Sequence, residues 1–234
     1  MTSKLQVLDQ EIGIHADNGI EYICITDIAR YKNSERTDDL RSGRVLHYPA
    51  FASTALQAVN LYVNCEARIR DAVAAGKLIP AKPTVPWAKQ RRTFLMCRPL
   101  HQAIEAARLS TDEKTIKRWA QLEADIGYFV EGGYITSDRL KQLDPPKYEH
   151  RELRSLQPRP SLRVFGRFAM PDVFVGTHVC ERPRLGAKWS LNWELEKLSC
   201  EEHWRAAGLS DAFHADTYEA YITENASRRL GVPR

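Results

Sequence analysis

Between Tyr148 and Leu185 the chain reads YEHRELRSLQPRPSLRVFGRFAMPDVFVGTHVCERPRL. In this stretch Val, Leu and Phe alternate with polar residues at a period of two, which is the pattern of three short strands in an antiparallel sheet. One of these segments, Ser161–Phe168, sets Leu162, Val164 and Phe168 on one face and Arg163, Phe165 and Arg167 on the other. From Lys147 to Lys188 nine Lys/Arg stand against four Asp/Glu, a net +5, more than the +4 of the whole chain. A small sheet carrying that much positive charge points to a polyanionic partner, of which nucleic acid is the commonest.

The order of these features resembles the RelE-like toxin fold. Two helices are followed by Glu152-Leu153-Arg154, then Arg163-Val164-Phe165-Gly166, a turn, and Val173-Phe174-Val175 leading to His178. Basic residues and a closing helix complete the order, and the resemblance spans residues 115–205. It implies an α+β domain, a small antiparallel sheet flanked by helices. It also implies a ribonuclease that needs neither metal nor cofactor, with RNA as substrate and an antitoxin protein as partner.

In such an enzyme a ribose 2′-OH attacks the adjacent phosphate, so cations must stabilise the growing negative charge and another group must move protons. The resemblance assigns the first task to Arg163, Arg182 and Arg184. It assigns the second to His178, whose ordinary pKa near ~6.5 suits proton exchange. Arg154, Arg167 and Lys188, with Arg91 and Arg92 upstream, are candidate nucleic-acid contacts. The alternative reading of each is plain: arginines on an exposed sheet face are usually solvated, and a lone strand histidine is usually structural. The chain also departs from the family. Arg182-Pro183-Arg184 and a single nearby lysine, Lys188, stand where several lysines are usual, and Tyr218 and Tyr221 are the tyrosines available near the chain end.

Residues 7–40, VLDQEIGIHADNGIEYICITDIARYKNSERTDDL, resemble the opening of a KilA-N domain, a DNA-binding module of phages and mobile elements. Asp17-Asn18-Gly19 is the signature of a tight hairpin turn between Glu11–His15 and Glu21–Ile25. Thr26 then reads as the N-cap of a helix with Asp27 in its first turn. After Leu40 the sequence RSGRVLHYPAF no longer follows that family, so the module reads as truncated.

Charge is distributed in blocks. Residues 1–40 carry net −4, 41–98 net +8, 99–146 net −2, 147–188 net +5 and 189–234 net −3. The blocks either pair with one another inside a fold or share a polyanion-binding surface. Five scattered cysteines, none at C-x-x-C spacing, indicate neither a zinc site nor a disulfide framework. No run approaches the ~20 apolar residues of a membrane span. A cytoplasmic, membrane-free protein is the expectation.

Helical spacing recurs from Phe51 to Gly76, followed by Pro80, Pro83 and Pro86 at every third residue, which favours a stiff connector. Ser110-Thr-Asp-Glu113 reads as a capping box for a helix whose Ile116, Trp119, Leu122, Ile126 and Phe129 share a face. A short helix is expected over Ser137–Leu143. The final strong helix, Trp189–Arg205, is apolar on two sides, with Leu191, Leu195 and Leu198 opposite Trp193, Cys200 and Trp204.

The expected organisation is therefore a KilA-N-like hairpin and helix over 1–40, a basic helical and proline-rich segment over 41–89, and a RelE-like α+β domain over 90–234. The leading function is that of a nucleic-acid-acting protein of a mobile element or phage, a RelE-type ribonuclease toxin or its inactive relative. The rivals are a non-catalytic KilA-N-type DNA-binding protein and a recombined reading frame with no joint function.

Overall fold

The computed structural model describes residues 2–7, 10–17, 20–23, 64–85, 87–188 and 190–227. Contacts divide the chain into two compact units, Met1–Val63 and Asn64–Arg234. In the first, β1 (Thr2–Val7), β2 (Gln10–Asp17) and β3 (Ile20–Ile23) form an antiparallel sheet in the order β1-β2-β3. The β2–β3 ladder runs to Asp17 opposite Ile20, which gives the expected hairpin. Strand β1 was not foreseen, and the helix expected from Thr26 lies outside the described residues.

The second unit is α+β, built on a six-stranded sheet. Its elements are a helix α1 over 64–74, β4 (Leu78–Pro80), β5 (Thr93–Cys97), α2 (Arg98–Arg108) and α3 (Glu113–Val130). A short β6 (Ile135–Thr136), β7 (Leu140–Gln142), β8 (Arg151–Ser155), β9 (Leu162–Met170) and β10 (Val173–Glu181) follow. The chain closes with α4 (Leu191–Ala206), a single-turn α5 (Tyr218–Tyr221) and β11 (Ala226–Ser227), which pairs with β6.

Sheet order is β4-β5-β10-β9-β8-β7. Strands β7 to β10 form an antiparallel meander, and β5 lies parallel to β10. The sheet is thus larger than the antiparallel one expected, and mixed. Two local readings account for the difference. The stretch read as a connector supplies β4, with Pro80 confined to an edge strand where its missing N–H is tolerated. The helix expected over Ser137–Leu143 is replaced by β7, because Leu140–Gln142 pairs with Arg151–Leu153.

Helix starts follow side-chain chemistry. Asp112, rather than Ser110, caps α3: its Oδ2 accepts from Thr115 N at 2.9 Å and from Thr115 Oγ1 at 2.6 Å. On α3, Leu122, Ile126 and Phe129 are buried, while Ile116 at the solvent end is 42% exposed. Gly132, at φ +82°, takes the chain out of the helix in a conformation that suits glycine.

Both faces of the sheet are covered. On one, α2 and α3 pack Leu100, Ile104, Leu122, Ile126 and Phe129 against Phe94, Leu153, Val164, Phe168 and Phe174. Phe94 and Phe174 sit 5.4 Å apart between ring centroids, and Phe168 and Phe174 5.2 Å. Gly176 permits this closeness, since a Cβ there would stand 2.7 Å from Leu100 Cδ2. On the other face α1 and α4 cover Leu95, Val175 and Phe165 with Ala72, Cys200 and Trp204. The two-faced reading of β9 holds. Leu162, Val164 and Phe168 join the first core, while Arg163, Phe165 and Arg167 point to the second face.

Candidate functional site

The α4 side of the sheet gathers most of the arginines singled out in the sequence, but under a helix rather than in the open. Arg163 is 7% exposed, Arg167 9% and His178 8%. The reason lies in α4, whose inward side carries carboxylates. Glu196 and Glu201, both largely covered, flank the buried Lys197, Cys200 and Trp204 on either side. A strand face of arginines and a helix side of glutamates can bury each other because each desolvated charge meets an opposite one.

At the β8 edge, fully buried Glu152 is the hub. Arg154 Nε donates to its Oε1 at 2.7 Å, and Arg163 Nε lies 3.3 Å from its Oε2. Burial pulls the Arg163 guanidinium below its usual range; Glu152 opposes this, while Arg154 and Arg182 push it further down. Two guanidiniums thus share one carboxylate, and a third acts on Arg163 from the following turn. In the turn Arg182–Leu185, Arg182 Nη1 donates to Gly186 O at 2.7 Å and its guanidinium lies over Trp193 at 5.7 Å. Arg184 is exposed beside it, and Lys188 lies 4.0 Å from Asp144.

Farther along the same face, Arg167 Nη2 donates to His150 Nε2 and to Glu201 Oε1, both at 2.9 Å. Burial first, then Arg167 and Lys197, lower the His150 pKa to about 3. That ring is therefore neutral, and its Nδ1 holds the proton. Lys197, itself buried, donates to Glu194 Oε1 at 2.5 Å and to Asp144 O at 2.7 Å.

His178 reaches this face through a bulge. The β9–β10 register shifts between Gly176 and His178, so Thr177 is the extra residue. Simple alternation would have set His178 in step with Phe174. The bulge instead turns it to the α4 side with Cys180, stacked on Phe165 at 5.1 Å. Its Nε2 lies 2.8 Å from Glu196 Oε2, and its Nδ1 3.0 Å from Thr177 Oγ1. Burial lowers its pKa, with Glu196 opposing. A hydroxyl–imidazole–carboxylate chain has the connectivity of a nucleophile relay. Thr177, however, is 0% exposed, so the chain orients the ring rather than presenting a nucleophile.

The remaining candidates lie elsewhere. Arg91 and Arg92 stand beside the start of β5, level with Val173, whereas Arg182 follows the end of β10. Nine residues of strand at ~3.3 Å each put the two groups ~30 Å apart. Arg92 is spent on structure: its Nη1 donates to Gly133 O at 2.9 Å, its Nη2 to Glu224 O at 2.6 Å. Arg91 pairs with Glu224 at 3.2 Å. Tyr218 and Tyr221 belong to the opposite, α2/α3 face.

Burial raises the thiols of Cys97 and Cys180 to about 12 and of Cys200 to about 11, which makes them inert. Among the described residues no group of three or more His, Cys, Asp or Glu could hold a metal ion, and no helix is long and apolar enough to cross a membrane.

Sequence reasoning passed over Glu152 and Glu196 as partners. Glu152 was legible in principle, since it shares a strand face with Arg154 and lies diagonally across the ladder from Arg163. Glu196 was not, because nothing in the sequence says which strand α4 covers. Compared with known proteins, the chain matches no family model, no curated protein and no solved structure.

Proposed function

We propose that the second unit is a RelE-like nucleic-acid-binding domain that grips RNA phosphates at the end of β10 and does not cleave them, an inactive relative of the ribonuclease toxins. The observation that carries this reading is the imbalance at Glu152. Arg154 and Arg163 share this single carboxylate, Arg182 adds a third positive charge that acts on Arg163, and exposed Arg184 follows in the same turn. A planar, permanently charged guanidinium suits bidentate contact with phosphate. The element order supports the family reading: two helices, an antiparallel meander, a basic turn and a closing helix. The absence of cleavage rests on His178 and Arg163, both buried and both already paired to carboxylates.

Incubating the full-length chain with single-stranded RNA tests the reading in two measurements. A gel shift is expected to show binding that weakens steeply with salt, because each neutralised phosphate releases a counterion. A denaturing gel is expected to show the RNA intact. Absence of binding at low salt removes the nucleic-acid reading, and RNA cleavage lost in His178→Ala restores the nuclease. For the head, the hairpin β2–β3 favours the KilA-N-like reading, with DNA as its ligand. Retention of duplex DNA by the full chain but not by a chain lacking residues 1–63 tests it.

A further inference from the structure

On the α2/α3 side of the sheet, away from the arginine seam, β7, Arg151 and the turn before α5 enclose a cleft of about 270 Å³. Its floor holds two buried polar groups that the fold does not satisfy. Arg151 is 2% exposed and its Nε has no hydrogen-bond partner among the described residues. Tyr218 is 5% exposed and its Oη has none either. Leaving such groups unpaired costs stability, so a fold that keeps them invites a role.

The charge of Arg151 is also only partly met. Its nearest carboxylate, Glu149, accepts from Tyr221 Oη at 2.7 Å and lies 2.7 Å from His214 Nδ1. That leaves a long 3.5 Å contact to Arg151 Nη2. The guanidinium is meanwhile fixed in orientation, 3.8 Å above the Tyr221 ring. A planar donor held over an aromatic ring is pre-organised for an anion.

We infer that this cleft binds a phosphate monoester of a small hydroxyl-bearing molecule, a mononucleotide or a sugar phosphate. Arg151 and the Tyr218 hydroxyl supply donors on one side, and Gln142, paired across the ladder with Arg151, and Thr217 add more around them. So many donors exceed what a planar carboxylate uses and match the three terminal oxygens of a phosphate. Asp138 and Asp216 line the same cleft and accept from hydroxyl or amino groups on the rest of the molecule. The volume lies just below the ~300 Å³ at which drug-sized pockets begin, which fits a ligand of this small class. The inference does not rest on the RNA reading, whose residues occupy the other face.

Calorimetric titration of the full-length chain with AMP, ribose 5-phosphate, adenosine and inorganic phosphate tests it. At least one of the two esters is expected to bind about tenfold or more tighter than both adenosine and inorganic phosphate. A preference for AMP identifies a nucleotide, and equal affinity for the two esters a sugar phosphate. Because substituting Arg151 risks the fold, the variants are Tyr218→Phe, which removes one oxygen, and Gln142→Ala at the half-buried rim. Each is expected to weaken ester binding about tenfold, the loss typical of one hydrogen bond to a charged group, with the melting transition retained. Neither ester binding at about 1 mM, adenosine or inorganic phosphate binding as tightly, or both variants binding like the parent would overturn the inference.

Discussion

The two faces of the central sheet are both buried but held by different chemistry. Under α2 and α3 the contact is hydrocarbon: Phe94, Phe129, Phe168 and Phe174 interlock with ring centroids 5.2–6.2 Å apart. Under α4 much of the contact is ionic: Glu152 with Arg154 and Arg163, Arg167 with Glu201, His178 with Glu196. The first face gains free energy from every Å² removed from water. The second roughly breaks even, because attraction between buried charges is offset by their desolvation. What the ionic face adds is position: Glu201 on Arg167 and Glu196 on His178 fix where α4 packs.

Single truncations are expected to hurt both faces about equally, and double ones to separate them. Phe174→Ala and Glu152→Leu each are expected to cost about 3–5 kcal/mol, the first by opening a cavity, the second by stranding the buried Arg163 charge. Adding Arg163→Met to Glu152→Leu is expected to recover most of the loss, since apolar groups of similar volume replace a buried pair at little cost. Adding Phe94→Ala to Phe174→Ala is expected to deepen it. Urea denaturation of the four variants measures this, and a failure of Arg163→Met to rescue would show that the ion pair is a net stabiliser.

The ionic face is also the one that acid should attack. The folded-state pKa of His150 lies at about 3, below the ordinary 6.5, so the unfolded chain binds a proton there that the folded chain refuses. Stability contributed by the neutral ring is complete above about 6.5 and is lost as pH falls toward 3, by up to about 1.4 kcal/mol per pH unit. His178 is shifted in the same direction. His150→Gln keeps an acceptor for Arg167 and cannot titrate. Between about pH 7 and pH 5 it is expected to show a shallower decline in urea midpoint than the parent. Identical slopes would remove His150 as the acid-sensitive group.

The contrast explains what the sequence could convey. The hydrocarbon face was readable because Leu162, Val164 and Phe168 recur at the strand period, and Leu122, Ile126 and Phe129 at the helix period. The arginines on the other side of β9 were placed on the correct face, but a period says nothing about what covers it. Surface arginine and buried, paired arginine look the same in one chain. The side taken by His178 was hidden for a different reason, since a bulge at Thr177 shifts alternation by one residue and has no distinct sequence mark. The seam and the Arg151 cleft both depend on contacts between residues distant in the chain.

The smallest effects belong to the outer side of α4. Leu195 is 51% exposed, and Leu191 and Leu198 beside it are more so. Leu195→Lys is expected to change stability by no more than about 0.5 kcal/mol, as for surface sites away from special features. On the inward side of the same helix, Trp204→Ala is expected to cost about 3–5 kcal/mol. A large loss at Leu195 in thermal or urea melts would show that this side of the helix is covered.

The central claim is that the excess of guanidinium at the end of β10 holds RNA phosphates. Its most direct test is the salt dependence of single-stranded RNA affinity for the parent chain and for Arg182→Ala/Arg184→Ala. If each arginine neutralises one phosphate, the slope of log affinity against log salt is expected to become shallower by about 1.4 in the double variant, at unchanged fold. An unchanged slope and affinity would contradict the account.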